Sequence, residues 1–268
     1  MSELRAQTGT MPAAVSTVLT FLGTLAILLI VWQGASRAGW IPAYAVPPPS
    51  AIGAKFLDSF PEMSRHAVTT TVEIALGFIL ATVGAVLLAV FIVFFRPIER
   101  IAYPWLLVLQ VIPKVALGPL LVLWLGFGVF TKVLLAFLLA FFPVLIAGII
   151  GLRSLDGNSV NLMRSMGAGR WEIFRYMQLP SALPQLFGSL KVAITLAVVG
   201  ALVGEFVGGN EGLGYVLVVA NGNMDSTLLF VSLLWISLLA LALYALVAAV
   251  EKACVSWHVS FRSGLSAL

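Results

Sequence analysis

Six stretches of this sequence, residues 15–32, 67–95, 101–125, 133–152, 186–207 and 228–250, stay apolar for long enough to cross a bilayer, since a helical crossing takes about 20 mostly apolar residues. They are apolar on all sides rather than along one stripe, so a helix built from them belongs in lipid or deep inside protein. Transmembrane strands are excluded as well, because those alternate apolar and polar residues over about ten positions. Composition agrees: 61% of the residues are apolar and 10% charged, against roughly 25% charged in soluble domains. The expected fold class is an all-α integral membrane protein with six transmembrane helices. The first stretch follows Arg5 as a secretory signal would, but its apolar core is longer than a signal's and no small-x-small cleavage site follows cleanly.

The basic residues set the expected orientation. With the amino terminus in the cytoplasm, nine of the fifteen Lys and Arg residues lie inside: Arg5, Arg96, Arg100, Arg153, Arg164, Arg170, Arg175, Lys252 and Arg262. Four lie outside (Arg37, Lys55, Arg65, Lys132) and two within spans (Lys114, Lys191). Positive-inside counting therefore predicts both termini in the cytoplasm. The net charge of +4 is then a topology signal rather than a nucleic-acid patch, and no nucleic-acid partner is expected. One cysteine, Cys254, permits neither an intramolecular disulfide nor a Cys-based metal cluster. His66 and His258 lie far apart without carboxylate or Cys company, so no metal or catalytic centre is expected.

Polar residues collect between the fourth and fifth spans, in the loop 153–185. Residues 159–166 read as a helix with Val160, Met163 and Met166 on one side. Gly167 and Gly169 interrupt it, and residues 170–174 restart a helix that is expected to stop near Leu179-Pro180. Two uses fit such a hairpin: an amphipathic element lying on the membrane surface, or a docking element presenting Met and Trp to a groove on a cytoplasmic partner. The glycine-rich run 208–215 is no phosphate loop, since its order differs from GxGxxG and no strand precedes it. Residues 216–220 read as a short apolar helix dipping back into the protein.

The run Gly167-Ala168-Gly169-Arg170-Trp171, with Leu179-Pro180 and Leu183-Pro184 after it, resembles the cytoplasmic loop of bacterial ABC importer permeases. That loop has Glu-Ala-Ala, three residues, Gly, nine residues and Ile-x-Leu-Pro; here Met177 stands for the Ile, and Asn161-Leu162-Met163 occupy the Glu-Ala-Ala positions. Similarity to the nitrate, sulfonate and taurine branch extends to Pro47-Pro48-Pro49-Ser50, to the run from Ile112 to Pro119 with Trp124-Leu125-Gly126, to Gly212-Leu213-Gly214-Tyr215, and to an ending in Ser256-Trp257-His258. The resemblance implies a type I importer (MetI-like) permease fold with five core helices. It divides the chain into residues 1–66, a tail, peripheral helix and outer loop; 67–258, the permease core; and 259–268, a cytoplasmic tail. It further implies a multi-pass protein of the bacterial inner membrane. The partners implied are a second copy of the chain, membrane lipid, an extracytoplasmic solute-binding protein and two ATPase subunits that bind ATP and Mg, with no cofactor and no enzymatic activity in this chain. Met163, Arg164, Met166, Gly167, Ala168, Arg170, Trp171, Leu179 and Pro180 are the implied ATPase-coupling residues.

Charge within a span is costly, so each instance asks for a partner or a hydrated face. Lys114 follows Pro113 midway along the third span. It either snorkels to the inner interface or stands on the translocation path, where it would attract an anionic solute. Glu73 and Glu205, the other path candidates, are expected near the outer boundary with partial hydration, and Lys191 is expected to snorkel inward. Glu73 stands where much of the resembling branch has a basic residue, which leans toward a pyrimidine-type thiamine precursor or another heterocycle over a sulfonate. The alternative class is an ion-coupled secondary transporter, which would call for acidic residues deep in the membrane and an internal repeat.

Overall fold

The computed structural model describes residues 13–40, 42 and 44–255, which form helices and short connections with no strand among them. Arg5, Ser256, Trp257, His258 and Arg262 lie outside the described residues. In chain order the helices are α1 (Ala13–Arg37), α2 (Pro49–Asp58), α3 (Phe60–Phe94), α4 (Arg96–Val111), α5 (Gly118–Leu125), α6 (Val129–Arg153), α7 (Gly157–Ser165), α8 (Arg170–Ile173), α9 (Leu179–Gly208), α10 (Leu213–Gly222) and α11 (Ser226–Cys254). Among the described residues four pieces are long and apolar enough to cross a membrane unaided: α3, α6, Arg170–Gly208 and α11.

The third expected span is not one helix. Its halves, Arg100–Val111 and Lys114–Leu125, meet at a bend of 75°. Pro113 has no N–H to give the ladder and pushes Ile112 out of the helical region; Ile112 has ψ 127° and Pro113 ψ 86°. The chain restarts as a 3-10 turn, Lys114–Leu117, before α5. The first expected span corresponds to α1, whose stretch Leu22–Arg37 is apolar but shorter than a full crossing. α1 is tied to α2 by Gln33, whose amide donates to Ser50 Oγ at 3.1 Å and accepts the Ser50 N–H at 3.0 Å.

The core is the three-helix seam of α3, α6 and α9. Small residues recur at every fourth position along it: Gly77, Ala81, Ala85 and Ala89 on α3; Ala136 and Ala140, with Gly148 further on, on α6; Ala193, Ala197 and Ala201 on α9. Such a row forms a smooth ridge, which lets helices approach where lipid offers no hydrophobic drive. The approach is close enough that a Cβ on Gly200 would lie 2.6 Å from Ala136 Cα, and one on Gly77 would lie 2.5 Å from Ala136 Cβ. α10 is a short apolar helix packed against α9, α11 and α3, with Leu213, Val216 and Ala220 buried. One face of this helix, too short to span, is therefore packed in protein.

α3, α6 and α11 all run from the α10 end of the bundle toward the α7–α8 end, and α9 runs back. At the α7–α8 end Lys191 of α9 does not simply reach for solvent. Its Nζ pairs with Glu251 of α11 at 2.7 Å, half-buried.

Candidate functional site

Two polar constructions stand at opposite ends of the seam, a hairpin between α6 and α9 and a buried network beside α10. In the hairpin, α7 ends at Ser165 with Met166 as its cap, and Gly167 takes φ +88°. The Gly167 N–H then reaches Arg164 O at 3.0 Å and the Ala168 N–H reaches Met163 O at 3.0 Å. This paired closure is a Schellman cap, which favours glycine at the left-handed position. Glu172 Oε2 accepts the Gly169 N–H at 2.6 Å and so fixes the start of α8. A Gly167→Val variant is expected to lose about 1–2 kcal/mol from the left-handed strain, and trypsin should cut at Arg164 and Arg170 faster than in the parent.

The helix that starts at Arg170 does not stop near Leu179-Pro180, as the sequence predicts, but continues. Phe174–Gln178 widen into a π turn in which the Leu179 N–H donates to Phe174 O, and α9 follows without a break. The wider turn accommodates Pro180, whose ring would otherwise crowd the preceding carbonyl. Phe174 is buried, with its ring 5.1 Å from Phe94 at the end of α3 and 5.3 Å from Trp171. The hairpin is thereby fastened to the bundle.

On its outer surface Leu162, Met166, Trp171 and Tyr176 are exposed apolar groups among exposed Arg164, Arg170 and Arg175. Met163, Ala168 and Pro180 are half-buried, and Leu179 is exposed at the root. Leu162 and Tyr176 belong to the same surface, and Phe174 to its anchor. The sequence marks Leu162 only as a departure from a family pattern.

At the other end, Glu73 and Glu205 are not at a hydrated boundary. They are 0% and 1% exposed, because α3, α6, α9 and α10 close around them. Lys132, counted above among the outer charges, is buried too and donates to Glu73 Oε1 at 2.8 Å and to Glu211 O at 3.2 Å. Glu205 Oε1 accepts from Thr70 Oγ1 at 2.6 Å, and Oε2 accepts the Gly214 N–H at 2.6 Å. Thr70 Oγ1 also accepts the Leu213 N–H at 2.8 Å, and His66 Nδ1 accepts the Gly212 N–H at 3.1 Å. Gly212 has φ +113°, and a Cβ there would collide with the Glu205 carboxylate. The first turn of α10, where backbone N–H groups lack helical partners, is thus held by side chains from α3 and α9.

Lys114 stands apart from this network. It is half-buried at the bend, with Nζ donating to Gln110 O at 2.9 Å and lying 4.6 Å from the centre of the Phe142 ring. Pro113 leaves the carbonyl four residues before it, Leu109 O, without its ladder partner, and the Lys114 ammonium takes the neighbouring carbonyl, Gln110 O. Among the described residues no group of three His, Cys, Asp or Glu side chains is arranged to hold a metal.

Residues 73–255 match the family described as "Binding-protein-dependent transport system inner membrane component". The chain belongs to this family. The permease is 36% identical over 239 residues to the riboflavin transport system permease protein RibX of Chloroflexus aurantiacus, covering 88% of this chain and 89% of that one. It is also 36% identical over 190 residues to the formylaminopyrimidine transport permease protein ThiX of Halalkalibacterium halodurans, covering 70% and 76%. A putative aliphatic sulfonates transport permease of Bacillus subtilis is 26% identical, covering 88% and 86%. Among solved structures, an inward-facing MetNI methionine ABC transporter superposes with a TM-score of 0.58 at 18% identity, over 72% of the permease and 95% of that chain. The permease therefore has the MetI-like fold and is an inner-membrane permease component of the ABC importer class.

Proposed function

We propose that the permease works as a pair of copies enclosing a solute path, with two ATPase subunits on the cytoplasmic side holding ATP and Mg and a solute-binding protein docking outside. The observation that carries this is the hairpin surface: exposed Leu162, Met166 and Trp171 among arginines, on a base locked through Phe174 to Phe94. A flexible surface element would have no need of that anchor, whereas a lever transmitting closure of a partner's cleft must be stiff. Four arginines, Arg153, Arg164, Arg170 and Arg175, lie at this end, which favours its cytoplasmic placement and, with it, cytoplasmic termini.

The solute we infer is a small heterocycle containing a pyrimidine ring. Riboflavin and formylaminopyrimidine both contain one, and their permeases are the relatives at 36% identity, against 26% for the sulfonate relative. Lys114, at the break of the third span, is the proposed contact on the path. Its ammonium on the face of Phe142 offers hydrogen-bond donors beside an aromatic surface, which suits such a ring.

The test is uptake into proteoliposomes holding the permease, its ATPase and its binding protein. Radiolabelled riboflavin or formylaminopyrimidine should accumulate only with ATP on the ATPase side and the binding protein on the other. Uptake that follows a proton or sodium gradient without ATP would overturn the reading. Lys114→Met is expected to lower uptake about tenfold, the effect of one charged hydrogen bond, while ATP hydrolysis continues. Unchanged uptake would remove Lys114 from the path.

A further inference from the structure

The hairpin and the buried network are joined by the same two helices. α6 runs from Lys132 to Arg153 and then into α7; α8 runs through the π turn into α9, which reaches Glu205. Lys132 and Arg153 stand about 30 Å apart along the α6 axis. α6 and α9 meet at backbone contact near both ends: a Cβ on Gly204 would lie 2.8 Å from Lys132 Cα, one on Gly200 would lie 2.7 Å from Leu135 O, and one on Gly151 would lie 3.2 Å from Ala182 Cα. Helices this close have no side-chain layer in which to slide.

At the far end the charged groups are met by one another, by Thr70 and by residues 211–214, and Glu73 Oε2 is buried with no hydrogen-bond partner among the described residues. Lys132 needs Glu73 of α3 and the carbonyl of Glu211; Glu205 needs Thr70 of α3 and the Gly214 N–H. Pulling α10 or α3 away from α6 and α9 would strand a buried charge in a low-dielectric interior, an uncompensated loss. The segment so held, residues 209–214, leads into α10. Glu211 of this segment walls a cavity of about 420 Å³ with Glu62, Arg65, His66, Val68 and Thr69. The cavity is at the end of the bundle opposite the hairpin.

We propose that Thr70, Glu73, Lys132 and Glu205 are positioning residues for coupling: they pin the 209–214 segment and α10 to α6 and α9, so that movement of the hairpin is delivered across the membrane to the wall of this outer cavity. This rests on the hairpin reading above. None of the four touches ATP. Their part is to make one rigid body of a lever and the surface that it moves, as two-state coupling requires.

Thr70→Val keeps the side-chain volume and removes the hydroxyl that joins Glu205 to the Leu213 N–H; Thr70→Ser keeps the hydroxyl. In proteoliposomes with the ATPase and the loaded binding protein, Thr70→Val is expected to reduce uptake about tenfold and to bring binding-protein-stimulated ATP hydrolysis down toward the basal rate, within the usual range of coupling energies. Basal hydrolysis should stay within about twofold, because it belongs to the partner. Thr70→Ser should restore both readouts, and Lys132→Met should reproduce the Thr70→Val phenotype. Hydrogen exchange should speed up at Leu213 and Gly214 in Thr70→Val and stay slow in the middle of α6 and α9. Full stimulation in Thr70→Val overturns the proposal, and so does an equal fall of basal and stimulated rates, which marks a merely structural role. If Lys132→Met does not accumulate in the membrane, Thr70→Val decides. A hairpin variant, Leu162→Asp/Met166→Asp, runs beside them: coupling lost there but kept in Thr70→Val sinks the pin alone, and coupling kept in the hairpin variant sinks the hairpin reading with it.

Discussion

Gly200→Val is expected to prevent the bundle from closing. Gly200 faces Ala136 across the α6–α9 contact, where a bare Cβ would already lie 2.6 Å from Ala136 Cα and 2.8 Å from Ala136 N. Those are backbone atoms, so no side chain can swing aside. The helices must separate by about an ångström or more, and the separation opens the contact of Gly204 with Lys132 on the same α6–α9 face. Overpacking in a well-filled core costs about 1–3 kcal/mol even where side chains can adjust. Here at least the upper end is expected, about 3 kcal/mol or more, seen as loss of the monodisperse peak in detergent or a large fall in thermal midpoint. Gly188→Ala on the same helix is the control, since a Cβ there meets nothing within 4 Å. Its stability should change by about 1 kcal/mol or less, the scale of helix propensity. A Gly200→Val protein as stable as the parent would show that α6 and α9 are not in backbone contact.

Most of the helices were legible in the sequence because a bilayer leaves few choices: a long run that is apolar all round has to be a helix. The hairpin was legible because Gly167 and Gly169 interrupt a polar segment. Two features were hidden. The continuity of Arg170–Gly208 was hidden because Pro180 reads as a stop, and local rules do not weigh a π turn that absorbs it. The depth of Glu73, Lys132 and Glu205 was hidden because each lies near the end of an apolar run, where a charge is ordinarily hydrated. A signal was nevertheless present. Glu73 continues the Gly77, Ala81, Ala85, Ala89 row, Lys132 continues the Ala136, Ala140 row, and Glu205 continues the Ala193, Ala197, Ala201 row, each at the four-residue step. A charge in register with a ridge of small residues faces the same neighbour as that ridge. All three therefore point into the seam, and opposite signs on converging ridges predict the pair found between α3 and α6.

Leu162→Asp/Met166→Asp is expected to abolish ATPase docking while leaving the membrane bundle intact. Both side chains are exposed, at 63% and 75%, so neither contributes to the core and the thermal midpoint should hold. Covered by a partner's groove, each would add about 1.5–3 kcal/mol of apolar burial. Replacing them by carboxylates removes that gain and asks the groove to desolvate two charges. A combined loss of about 4 kcal/mol corresponds to roughly a thousandfold weaker association, measurable by titrating the ATPase onto nanodisc-held permease. Phe174→Ala is the informative contrast, because Phe174 is buried between Trp171 and Phe94. The docking surface stays in place there while its fastening to α3 is cut. Binding should persist within severalfold while stimulated hydrolysis falls, since truncating a buried aromatic loosens the site by about 3 kcal/mol or more without touching the partner. Equal ATPase affinity in the double Asp variant and the parent would mean that α7 does not enter the ATPase and that the hairpin only rests on the membrane surface.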